Sequence, residues 1–103
     1  MNAKNLSEIK NLQELFEDEK RWTQFAEARD QGGGSVGADS PDAVSFCLYG
    51  AVQRIYQKKD RDEVFNKLTQ ITHCSVIYFN DSLGYKEKKT INDIRKLVKD
   101  ADV

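Results

Sequence analysis

Cys47 and His73 carry the most reactive side chains of the chain. A thiolate is a strong nucleophile, and a neutral imidazole is the side chain best suited to activate it near neutral pH. His73 is the only histidine, and Cys47 and Cys74 are the only cysteines. In chain order Cys47, His73 and Asn80 follow the nucleophile, base and orienting amide of one class of thiol hydrolases. Gln24, Asn80 and Asp81 are available as oxyanion or orienting groups. A small hydrolase or transferase using Cys47 is therefore one reading. Against it, Cys47 shares an apolar stripe with Val44, Leu48 and Ala51, where a small thiol packs as a hydrophobe. His73 falls at an expected helix end, where it caps carbonyls. One histidine and two separated cysteines supply no ligand pair at zinc spacing, and the carboxylates form no calcium loop. Neither a metal nor a cofactor is expected.

A second chemistry to weigh is phosphate binding. The stretch "RDQGGGSVGADSPDAV" places three glycines ahead of Ser40-Pro41-Asp42, which read as a helix start. A phosphate loop needs a Lys-Ser/Thr pair after its glycines, and a dinucleotide fingerprint needs spaced glycines between strand and helix. Neither is present. Asp39 and Asp42 would also repel an anion at that helix start. Residues 31–37 read instead as a glycine-rich turn needing positive φ.

A third group is polar and not nucleophilic. Trp22, Gln24, Arg29 and Asp30 crowd one short segment, Arg54 lies on an apolar helix, and Asn80-Asp81 end an apolar run. If these segments pair, the seven residues converge at one end of a sheet. They read either as a binding cleft or as a structural ion pair with a turn cap.

The elements that position them follow from periodicity. Ile9, Leu12, Leu15 and Phe16 predict an amphipathic helix over about Ser7 to Lys20, with Ser7 as N-cap. "WTQFAEARD" reads as an extended segment, and "SVGAD" as its return strand across the glycine turn. From Ser40 the run "DAVSFCLYGAVQRIYQ" reads as a helix apolar on so much of its surface that it must be central. Gly50 inside it costs roughly 1 kcal/mol relative to Ala, which implies close backbone packing against a neighbour such as the 22–30 segment. Val64, Phe65, Leu68 and Ile71 mark a helix over about Asp62 to Thr72. "CSVIYFND" is rich in β-branched and aromatic residues and predicts an interior strand. Thr90 and Asp93 form a capping pair before a C-terminal helix buried through Ile91, Ile94, Leu97, Val98 and Ala101. The order α-β(hairpin)-α-α-β-α predicts a helix-rich α+β single domain over residues 1–103, with a small sheet and a flexible start at 1–5.

Three of these stretches together resemble a known family: "WTQFAEARD", "SPDAVSFCLYGAVQR" and "YFND" followed by the closing helix. That family consists of small bacterial and phage proteins described only as a domain of unknown function. The matching positions are Trp22, Thr23, Gln24, Ala28, Arg29, Asp30, Pro41, Asp42, Ala43, Val44, Cys47, Gly50, Ala51, Arg54, Asn80 and Asp81. Phe46 and Phe79 stand where family members typically carry Trp, and the family pattern has no histidine at His73. The resemblance covers about Trp22 to Ala101. It implies one fold unit and assigns no activity.

Composition sets the remaining bounds. Sixteen Lys and Arg against 17 Asp and Glu give a net charge of −1, and the pI is near 5.8. A duplex-DNA binder shows a basic face and a high pI, so nucleic acid is not an expected partner. "QKKDR" and "YKEKK" are short, interrupted by acidic residues, and read as solvated loops. No apolar run approaches the roughly 20 residues that span a bilayer. The polar start "MNAKNLSEIK" and the two free thiols predict a cytoplasmic chain without a membrane partner. The expected function is a non-enzymatic binding or regulatory module for a protein or small ligand. The Cys47 enzyme and a structural homodimer subunit are the alternatives.

Overall fold

A computed structural model describes residues 5–103, and the expected flexible start otherwise lies outside the described residues. The fold is α+β: short helices and one small three-stranded antiparallel sheet. Its radius of gyration, 12.6 Å, is that of a single compact body of this length, about 13 Å. Among the described residues no helix is long and apolar enough to cross a membrane.

The amino-terminal helix expected over Ser7 to Lys20 is broken into three short pieces. A 3-10 turn spans Leu6–Glu8, helix α1 spans Leu12–Leu15, and a second 3-10 turn spans Glu19–Arg21. The breaks have a local cause. Asn11 accepts the Glu14 N–H at 2.8 Å and Asp18 accepts the Lys20 N–H at 3.0 Å. Short polar side chains of this kind compete with the helix for backbone groups. Leu12, Leu15 and Phe16 are still fully buried, so the apolar spacing is satisfied without a continuous helix.

The hairpin forms as expected, on fewer residues. Strand β1 is Ala28–Arg29 and strand β2 is Ser35–Val36, with Ala28 opposite Val36. Gly33, at φ +88°, turns the tip, and Asp30 closes it by accepting the Gly34 N–H at 2.8 Å. The sheet gains a third strand, β3 at Ser45–Phe46, where a helix was expected. Ser40 to Ala43 make a turn, in which Ser40 Oγ accepts the Asp42 N–H. The Val44 N–H then donates to Arg29 O at 2.8 Å, and the Cys47 N–H to Glu27 O at 3.2 Å. These long-range ladder bonds capture an aromatic and β-branched segment and override the local helix-start signal at Ser40-Pro41.

Helix α2 therefore begins later, at Leu48–Ile55, with Cys47 as its N-cap. Gly50 lies against β1's approach segment as its helix cost implied. A Cβ there would overlap the Glu27 carbonyl oxygen and stand 2.9 Å from its carbon. Helix α3 spans Lys58–Thr72, starting earlier than expected. "QKKDR" opens this helix on its solvent side, and Arg61 clamps the corner by donating to Tyr56 O and Gln53 O.

The strand expected in "CSVIYFND" is a correction. Val76–Asn80 is a short helix, α4, capped by Ser75 Oγ on the Ile77 N–H. Val76 and Asn80, four residues apart, are buried, while Ile77 and Tyr78 face solvent. One helical stripe thus satisfies the segment, and its β propensity finds no partner strand. Helix α5, Ile91–Ala101, matches expectation, including the Thr90 N–H donated to Asp93 at 2.8 Å. Arg95 fastens it to the amino-terminal region through Phe16 O and Glu17 O. Phe16, Phe46, Leu48, Val52, Leu68 and Ile94 fill the centre of one core.

The Gly50 contact is testable. Gly50→Ala improves intrinsic helix propensity by roughly 1 kcal/mol, yet it forces backbone apart and lowers stability by about 2–3 kcal/mol. Urea denaturation reads the difference; a neutral or stabilised variant would sink the close-approach assignment.

Candidate functional site

Asn80 gathers the sequence's candidate residues. It ends α4 and is wholly buried. Its Oδ1 accepts the Trp22 indole N–H at 2.7 Å and the Leu48 backbone N–H at 3.1 Å. Its Nδ2 donates to Thr23 O at 3.0 Å and to Asp81 Oδ1 at 2.9 Å. A primary amide has two acceptor sites and two donor hydrogens, and all four are used. Its main-chain oxygen accepts Gln24 Nε2 at 2.7 Å. Trp22, Gln24, Asn80 and Asp81 therefore converge, as the sequence suggested.

Arg29 joins them from β1. Its Nε donates to Thr23 Oγ1 at 2.9 Å, one terminal nitrogen to Gln24 O at 3.1 Å, and the other to Gly33 O at 3.0 Å. The expected Arg–Asp ion pair does not form; the guanidinium is spent on neutral oxygens. Asp30 caps the hairpin tip and stays outside the cluster. Arg54 also stays outside. It donates to Ala38 O at 2.7 Å and Ser40 O at 2.9 Å, with its guanidinium over the Phe46 ring. Among the described residues no buried side-chain nitrogen or oxygen lacks a partner.

The cysteine and histidine are not assembled into a pair. Cys47 is buried, and its Sγ accepts the Gly50 N–H at 3.3 Å. Burial pushes the thiol above its ordinary pKa, the Asp81 and Glu27 carboxylates push the same way, and bonds from the Gly50 and Tyr49 backbone only partly oppose them. His73 stands exposed, at φ +58°, as the C-cap of α3. Its backbone N–H, not its imidazole, caps the Thr69 carbonyl. Among the described residues no three His, Cys, Asp or Glu side chains stand close enough to share a metal ion.

The cluster holds an unexpected residue. Phe25 is 68% exposed and sits at φ +64°, a left-handed conformation costing a non-glycine residue about 1–2 kcal/mol. It is held there because Asp81 Oδ1 accepts its N–H at 2.9 Å, while Gln24 before it is tied to Asn80. Beside it opens a groove of about 590 Å³ whose walls include Phe25, Tyr49 and Ile77, with Cys47, Glu27 and Asp81 also lining it. No residue type or spacing marks this conformation in the sequence.

Compared with known protein families, curated proteins and solved structures, the chain finds no match.

Two measurements follow. Asn80→Ala leaves the Trp22 indole, the Leu48 N–H and the Thr23 carbonyl without their partner. At about 1 kcal/mol or more for each, stability falls by roughly 3 kcal/mol or more. A loss under about 1 kcal/mol in urea melts would remove Asn80 from its central role. Iodoacetamide near neutral pH alkylates Cys74 first and spares Cys47 in the folded protein. Because the folded Cys47 pKa lies above the unfolded value, its contribution to stability is complete below about pH 8.5 and fades as pH rises beyond it. Rapid Cys47 labelling in the native state would show an accessible thiolate instead.

Proposed function

We propose that the protein is a non-enzymatic binding module whose contact surface is the Phe25 groove. In this reading the Trp22, Gln24, Arg29, Asn80 and Asp81 cluster is the frame that presents the surface. The carrying observation is a large aromatic side chain held exposed on a costly backbone conformation. Strain of this kind persists where the surroundings over-determine it, and it concentrates at ligand clamps and switches. An exposed phenyl ring adds little to the core, so its benefit lies outside folding. The saturated polar cluster supports the same division of labour, since its donors and acceptors are already engaged. The raised pKa of buried Cys47, away from His73, favours this reading over a thiol enzyme.

Replacing Phe25 with glycine tests it. Phe25→Gly relieves the left-handed strain and, after glycine's extra unfolded entropy, leaves stability unchanged or raised by up to about 1 kcal/mol. Partner capture from the native host by the folded variant is lost relative to wild type. A variant destabilised by more than about 1 kcal/mol would assign the ring to folding and overturn the proposal.

A further inference from the structure

Resting on the Phe25 groove as a contact surface, we infer the chemistry of its partner: a protein segment that presents an arginine or lysine beside a large apolar side chain. The groove is apolar on Phe25, Tyr49 and Ile77, and acidic at Glu27 and Asp81. Glu27 is exposed. Among the described residues its carboxylate has no hydrogen-bond or ion-pair partner. Asp81 directs Oδ1 to the Phe25 N–H and the Asn80 amide, and its Oδ2 is likewise unpartnered. Among the described residues no lysine or arginine pairs with either carboxylate. Two carboxylates left beside one apolar surface repel each other and favour an incoming cation.

The shape narrows the class. Its volume, about 590 Å³, is within the roughly 300–1,000 Å³ of ligand sites, but a small ligand is typically 70–90% enclosed. This groove is shallow and open to solvent, so its occupant must bring its own cover, as a protein segment does. Arginine and lysine combine an apolar stem with a cationic head. The stem lies along Phe25 or Ile77 while the head reaches Glu27 or Asp81. An adjacent leucine or aromatic side chain fills the remaining apolar wall.

The probes are two short synthetic peptides, one alternating arginine with leucine and one alternating glutamate with leucine. Titration of the isotope-labelled protein by NMR reads both site and affinity. The basic peptide shifts the Phe25 and Ile77 signals and the acidic one does not. Glu27→Gln weakens the basic peptide by about threefold to fivefold, and raising salt from about 50 mM to about 500 mM weakens it further. Phe25→Gly removes most of the binding. Equal binding of both peptides at these signals would overturn the charge assignment while leaving the groove as a contact surface. Binding that survives Phe25→Gly, or that leaves Phe25 and Ile77 unshifted, would overturn the groove itself and this inference with it.

Discussion

A single buried amide holds together parts of the chain that are far apart in sequence. Asn80 accepts hydrogen bonds from Trp22 and Leu48 and donates one to the Thr23 carbonyl, spans of 58, 32 and 57 residues. A polar side chain removed from water without partners costs at least 1–3 kcal/mol. The fold meets that cost only when the 22–24 segment, the start of α2 and the end of α4 arrive together. The amide is specific to this task. A carboxylate would offer no donor to the Thr23 carbonyl and would face Asp81, and an apolar isostere would orphan the indole and the α2 N-terminus. Asn80 thus acts as a registry device, in which a buried polar group selects one arrangement among several that would bury the same apolar surface.

The rest of the sheet end follows from that fixed point. With Trp22 and Thr23 held, the Thr23 N–H pairs with Phe46 O, which places β3 beside the approach to β1. The chain must then turn between Gln24, tied to Asn80, and Ala28, fixed in the ladder opposite Phe46. Asp81 fixes the Phe25 N–H inside that turn, and the left-handed φ is the result. Gly50 completes the arrangement from the other side. Only a residue without Cβ lets α2 approach the Glu27 carbonyl, and the Cys47 N–H bond to that same carbonyl seats the helix start.

Features governed by neighbouring residues were readable from the sequence. The α5 capping pair and the glycine tip of the hairpin stand where local chemistry put them, and the α+β class followed; Gly50 is the long-range exception, readable because a glycine inside a helix already implies a close neighbour. Features decided by distant partners were not readable. Ser40-Pro41-Asp42 is a sound helix start, yet β1 draws Ser45 and Phe46 into the sheet. "SVIYFN" has strand composition, yet Ser75 caps it and Asn80 must point inward one helical turn beyond Val76. The same division applies to the site. That Trp22, Gln24, Asn80 and Asp81 belong together was legible from their residue types. That they are bonded as they are, with Arg29 on a hydroxyl and two carbonyls and Arg54 elsewhere, depended on bonds no spacing encodes.

The distinction between frame and surface is a matter of remaining capacity. A hydrogen-bond donor contributes to binding when the partner offers more than it displaces. Asn80 has four of four positions filled, and the Arg29 fork is shared among Thr23, Gln24 and Gly33. A ligand seeking these groups would have to break internal bonds first, exchanging like for like and losing packing. Phe25, Ile77 and the Glu27 carboxylate differ in kind. All three are exposed on this face, so covering them releases apolar surface or supplies a counter-charge without dismantling an internal bond. The polar residues that stand out most in the sequence are therefore those whose hydrogen-bonding capacity is already consumed, and in the proposed reading recognition falls to the ring they hold out.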